Sequence, residues 1–171
     1  MHIRQAAPAD YPAIYDLVKT AFQTAKVSDG AEQDFVTALR ARPGYRPELE
    51  LVAQAESGVL LGHVMLTETR LLAGAGKPLS ALMAAPLCVR LQNRGCGLGA
   101  RLLHEGMRRG RNQGYACVFL VGDPAYYGRF GFRPVTEYGL RNETHAGDRY
   151  VLGRPLAPGA LEGVCGGVRL E

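Results

Sequence analysis

Apolar and polar positions along this chain switch between a period of two and a period near 3.6, and the switches assign most of its elements. A short strand over residues 2–6 runs into Pro8, which suits the first turn of a helix because its missing N–H would have no helical partner there. Tyr11, Ile14, Tyr15, Val18 and Phe22 then recur at helical spacing and predict a buried stripe. A second helix is predicted over about 30–40, with Phe35, Val36 and Leu39 inward and Pro43-Gly44 ending it. Three strand-like runs follow near 49–56, 59–69 and 79–89, separated by Ser57-Gly58 and by the turn-rich Ala73-Gly74-Ala75-Gly76-Lys77-Pro78. The third run contains Pro86, which cannot donate a ladder hydrogen bond and so belongs at an edge or a bulge. Strand pairing should be interrupted there.

A glycine-rich turn comes next, then a helix over about 97–112, a strand over 115–121 and a short helix opened by Asp123-Pro124. Asp is a good N-cap and Pro a good first helical residue. From Phe132 onward the pattern predicts two further strands and an irregular, glycine-rich tail. The strand-helix-strand unit over 79–121 requires a right-handed crossover and therefore a parallel pair. No internal repeat or low-complexity linker divides the chain, so a single mixed α/β domain over 1–171 is expected.

Composition narrows the function classes. Hydrophobic residues make up 47% and charged residues 21% of the 171 positions, a globular balance, and no apolar run of membrane-spanning length or basic-then-apolar N-terminus occurs. The four cysteines, Cys88, Cys96, Cys117 and Cys165, show neither a Cys-x-x-Cys pair nor zinc-site spacing. No metal and no disulfide framework is expected, which suits the cytoplasm. The net charge of +4 comes largely from arginine, most densely Arg101, Arg108, Arg109 and Arg111 around one predicted helix. Without aromatic interleaving or a basic run of five, this reads as a solvated helix face that attracts an anionic ligand rather than as a nucleic-acid surface.

Chemistry concentrates at Arg94-Gly95-Cys96-Gly97-Leu98-Gly99, which follows a strand and leads into a helix with apolar Leu98, Leu102, Leu103 and Met107. Free N–H groups at a helix start make a pyrophosphate site, glycines let the phosphate approach the backbone, and Arg94 adds a cation. An ordinary tight turn is the bland alternative. A dinucleotide fingerprint would need a third glycine further on and an acidic residue where Cys117, Val118 and Phe119 stand, and a Walker loop would need Gly-Lys-Ser/Thr. Neither is present. The stretch from Leu87-Cys88-Val89 through this loop to Leu102-Leu103 resembles motif A of the GNAT acetyltransferases, and Val121 to Phe132, with Tyr126-Tyr127-Gly128-Arg129-Phe130-Gly131-Phe132, resembles motif B. Gly62-His63-Val64 and the tail over 155–171 resemble the bacterial YhbS-like branch.

That resemblance implies a GNAT fold: a mostly antiparallel twisted sheet of about seven strands, splayed at a bulge near Pro86 and flanked by about four helices. It implies acetyl-CoA as cosubstrate and direct transfer of the acetyl group to a primary amine. Backbone groups around Leu87 and Val89 would pair with the pantetheine arm and acetyl group, while Arg94, Gly95, Gly97, Leu98, Gly99 and Ala100 would surround the pyrophosphate. Tyr127 takes the motif B position of the acid that protonates the departing thiolate, with a core tyrosine as the alternative. The general base stays open between Glu68, His63, Glu32, Asp34 and a water chain. Cys96 reads as structural, since no histidine partner is identifiable and the family uses direct transfer. Many family members carry an asparagine where this chain has Gly122-Asp123, which leaves the acceptor contacts open. Expected partners are a small-molecule or peptide amine and at most a second copy in a homodimer, with no nucleic acid and no membrane. A non-catalytic acyl-CoA-binding or protein-interaction module on the same fold is the rival.

Overall fold

The computed structural model describes residues 1–24, 30–73 and 79–170, the side chains of Arg70, Leu72 and Ala73 apart. The turn expected over 74–78 lies outside them. The elements are β1 (His2–Gln5), α1 (Tyr11–Phe22), α2 (Glu32–Arg40), β2 (Glu50–Gln54), β3 (Leu60–Ala73), β4 (Leu79–Val89), α3 (Leu98–Asn112), β5 (Cys117–Val121), α4 (Pro124–Tyr127), β6 (Arg133–Pro134), β7 (Arg141–Asn142), β8 (Val151–Pro155) and β9 (Gly166–Val168). Among the described residues the main strand path is β1-β2-β3-β4-β5-β8-β6, mixed α/β in class and mostly antiparallel. The chain forms two compact units, Met1–Thr67 with Ala85–Arg109 and Glu68–Ala84 with Gly110–Glu171. β3, β4 and α3 run from one into the other.

In the first unit β1 pairs antiparallel with β2, and β2 with β3 in the register Glu50↔Met65 to Gln54↔Leu60. The Arg90 N–H, just past β4, donates to the Leu61 carbonyl at 2.8 Å. α1 buries Ile14, Leu17, Val18 and Ala21, an i, i+3, i+4, i+7 face. The predicted stripe is thus rotated, for Tyr11, Tyr15 and Phe22 are only half-buried. The tyrosines sit at the margin because their hydroxyls have polar partners: Tyr11 meets the Tyr45 hydroxyl at 3.2 Å, and Tyr15 donates to Asp34 at 3.0 Å. α2 buries Val36 and Leu39 as expected, with Gln33 beside them and Phe35 half-buried. It already ends at Arg40, before Pro43-Gly44.

α3 lays Leu98, Leu102, Leu103 and Met107 into the core, each contributing roughly 1.5–3 kcal/mol on burial. Glycine lets it approach β3 closely: a Cβ at Gly62 would meet Leu102 at 2.8 Å and the Cys88 carbonyl oxygen at 3.0 Å. On its outer side Glu105 accepts from Arg108 and Arg109, both at 2.8 Å. Two of the four clustered arginines are therefore paired within their own helix.

In the second unit β4 runs parallel to β5 from Ala81↔Cys117 to Met83↔Phe119, the parallel pair that the crossover demanded. β5 pairs antiparallel with β8, and β8 with β6, around Leu71, Ala81, Phe119, Val135, Val151 and Leu161. The β4–β5 ladder ends at Met83, so pairing with β5 stops before Pro86. β4 lies inside the strand order, which makes Pro86 the mark of an interruption and not of an edge. After Phe132 there are four strands among the described residues rather than two. β6 and β7 have two residues each, too short for any alternation to show.

Candidate active site

The glycine loop is built by local sequence. Gly95 and Gly97 both adopt φ of +78°, a conformation that costs other L-residues about 1–2 kcal/mol. The Gly97 carbonyl accepts the first helical bond of α3, from the Arg101 N–H at 3.1 Å. The N–H groups of Leu98, Gly99 and Ala100 thus belong to the first turn, where no intrahelical acceptor exists. Arg94, Gly95, Cys96 and Gly97 are exposed, and a Cβ at Gly95 or Gly97 would meet nothing within 4 Å. Unspent donors at a positive helix end beside open space can hold a diphosphate. The Cys96 thiol donates to the Asn93 carbonyl at 2.8 Å, which fits its structural reading.

Ahead of the loop, Pro86 and Cys88 are buried while Ala85, Leu87 and Val89 are half-exposed. Burial pushes the Cys88 thiol up to about 12, which leaves it un-ionised at neutral pH. The Arg94 guanidinium, expected beside a pyrophosphate, donates to Ala21 O at 2.7 Å, to Thr24 Oγ1 at 3.0 Å and to Val89 O at 3.3 Å.

In the second unit the Asp123 side chain accepts from the Ala125 N–H at 2.9 Å and caps α4, with Pro124 in the first turn, as its sequence predicts. Tyr127 packs edge-on against Phe132, with ring centroids 5.8 Å apart, and its hydroxyl has no hydrogen-bond partner among the described residues. Burial pushes its phenol well above the usual value, so it is neutral and carries its proton. Tyr126 meets the Tyr127 ring edge-on at 4.9 Å. The Arg129 guanidinium stacks on Tyr126 at 4.7 Å from its centroid. A Cβ at Gly122 would overlap the Tyr127 ring. Here, then, lies a physical reason for glycine at this position: the aromatic ring fills the space.

Among the base candidates, His63 is fully buried and its Nε2 lies 3.0 Å from Glu50 Oε1. Glu68 is half-buried on β3, Glu32 has a buried Oε2 without a hydrogen-bond partner among the described residues, and Asp34 is exposed and accepts from Tyr15. Sequence reasoning missed the cluster around Glu50. This fully buried carboxylate accepts from Arg40 Nη2 at 2.5 Å and from Tyr45 at 2.7 Å, and Arg40 lies over the Tyr11 ring at 3.7 Å. No group of three or more metal-ligating side chains occurs among the described residues, and no helix there is long and apolar enough to cross a membrane.

Replacing Gly97 by valine tests the loop, because the side chain both occupies the open space and disfavours the positive φ. CoA affinity should fall at least tenfold by calorimetry in a protein that stays folded. Unchanged affinity would remove the loop from the cofactor site.

Comparison with known proteins meets these features from outside. A family model described as "Acetyltransferase (GNAT) domain" matches residues 2–135. The N-acetyltransferase YhbS of Escherichia coli K12 is 34% identical over 166 residues, 97% of this chain and 93% of YhbS. The crystal structure of E. coli YhbS in complex with CoA superposes with a TM-score of 0.85 at 33% identity, covering 99% of this chain and 89% of that one. A Brucella melitensis GNAT acetyltransferase in complex with acetyl-CoA gives 0.72 at 31% identity, with 92% and 88% covered. With its open glycine loop at the start of α3 and its capped, tyrosine-bearing α4, this chain belongs to the GNAT family and is an N-acetyltransferase related to YhbS.

Proposed function

We propose that the enzyme transfers an acetyl group from acetyl-CoA directly to a primary amine, a small molecule or a peptide. The observation that carries this is the loop: Gly95 and Gly97 border open space, and the first-turn N–H groups of Leu98, Gly99 and Ala100 follow at the positive end of α3. The relatives solved with CoA and acetyl-CoA support the same ligand. Bound there, acetyl-CoA supplies an activated thioester. Backbone groups at Leu87 and Val89, where β4 has left its ladder with β5, would receive the pantetheine arm, and Arg94 belongs to the same loop.

Direct transfer needs a proton donor for the departing sulfur and donors for the carbonyl oxygen. Tyr127 is assigned the first role: it carries its proton at neutral pH, and its hydroxyl has no competing partner among the described residues. Phenol donation requires no prior activation. The four free cysteines fit a reducing compartment, and the cytoplasm is proposed as the location.

Incubation with acetyl-CoA and a library of amines tests the reaction. Release of CoA thiol should rise above the background of exposed Cys96 and Cys165 with one acceptor class and not without acceptor. CoA binding with no turnover on any amine would overturn the proposal.

A further inference from the structure

We propose that the Arg94 side chain is a positioning group, which fastens the cofactor loop to the C-terminal end of α1, and is not itself a ligand of the pyrophosphate. The inference rests on the loop being the CoA site. Three of the five guanidinium N–H donors are already directed at protein acceptors on two elements: Ala21 and Thr24 at the end of α1, and Val89, the last residue of β4. Ala21 is one of the last residues of α1, whose final four carbonyls have no intrahelical donor. A guanidinium placed there satisfies one of them and complements the negative end of the helix dipole.

Packing alone does not close this junction. Between α1 and the residues leading into the loop lies a cavity of about 340 Å³, lined by Asp16, Leu17, Thr20, Arg90, Leu91 and Gln92 among others. Leu91 remains exposed beside it. Ala21, whose carbonyl accepts from Arg94, also lines this cavity, so the polar tie holds the junction at the margin of a gap. Its planar fork suits the task, since Nε, Nη1 and Nη2 reach a strand carbonyl, a hydroxyl and a helix carbonyl from three separate atoms, whereas an ammonium would have to donate to all three from one point.

The decisive variant is Thr24→Val, which removes one acceptor of the tie and leaves the charge of Arg94 untouched. A tie predicts that Thr24→Val raises the KM for acetyl-CoA about threefold, that Arg94→Ala raises it about tenfold, and that the double variant is no worse than Arg94→Ala. The kcat at saturating acetyl-CoA stays within about twofold, Thr24→Ser restores the parent KM, and Arg94→Lys recovers only part of the loss. Ligand-free Arg94→Ala should also melt about 2–4 °C lower. A direct pyrophosphate ligand predicts the reverse pattern: Thr24→Val neutral or tighter for CoA, with ligand-free stability unchanged in Arg94→Ala. That result overturns the inference, as does an unchanged KM in both single variants. Gly97→Val run in parallel separates the two levels, for if it still weakens CoA the loop stands as the cofactor site and only the role of Arg94 falls.

Discussion

Tyr127→Phe is expected to lower kcat by ~10²–10⁴-fold while leaving acetyl-CoA affinity and thermal stability close to the parent. The stability half follows from the packing. Ring contacts with Phe132 and Tyr126 survive the substitution, and the lost hydroxyl has no hydrogen-bond partner among the described residues, so none is orphaned. The rate half follows from protonation, because burial keeps the phenol neutral and able to donate. Tyr126→Phe is the control, since that ring is covered by Arg129. Gly122→Ala approaches the same atom from behind: its Cβ would overlap the Tyr127 ring and must displace it, and a displacement near 1 Å can cost ~10²-fold in rate. Both variants should bind CoA normally by calorimetry. Turnover at the parent rate in Tyr127→Phe would strip the residue of its role and leave the thiolate to depart unaided, which a thiol pKa of about 8.5 permits.

Features written in consecutive residues were readable in advance. Asp123-Pro124 opens α4 because a cap and an N-terminal proline act within one turn, and the glycine loop was legible because positive φ and a helix start are properties of its own few residues. Pro86 signalled broken pairing for the same local reason, although only the tertiary structure separates interruption from edge. The face of α1 was misjudged since periodicity weighs a tyrosine as apolar. Which tyrosines turn their hydroxyls outward depends on Tyr45 and Asp34, far along the chain. Nor could spacing reveal that Arg94 reaches Ala21, a carbonyl 73 residues earlier.

The Glu50 cluster is hidden in the same way, as its members Tyr11, Arg40, Tyr45 and His63 come from separate segments. Glu50→Ala is expected to destabilise the protein by about 3–5 kcal/mol, because it leaves a nearly buried guanidinium and a buried imidazole without their acceptor. For a chain of this length that is a fall of roughly 6–20 °C in melting temperature; a loss below about 1 kcal/mol would show the cluster to be dispensable. Acid should find the same weakness. Burial holds the His63 pKa below its ordinary 6.5, so between the folded value and 6.5 the unfolded chain binds the extra proton and falling pH favours unfolding. Burial alone would raise the Glu50 pKa, but hydrogen bonds from His63 and Arg40 outweigh it and hold the carboxyl near 2, below its ordinary 4.5. Its contribution is complete above pH 4.5 and is lost as pH falls toward 2, adding to the histidine effect at lower pH. Stability measured by denaturant should therefore decline below pH 6.5 with a slope approaching ~1.4 kcal/mol per pH unit for one proton. His63→Gln should flatten that decline between pH 5 and 6.5 whatever its offset at pH 8, and an unchanged slope would assign the acid sensitivity to other groups.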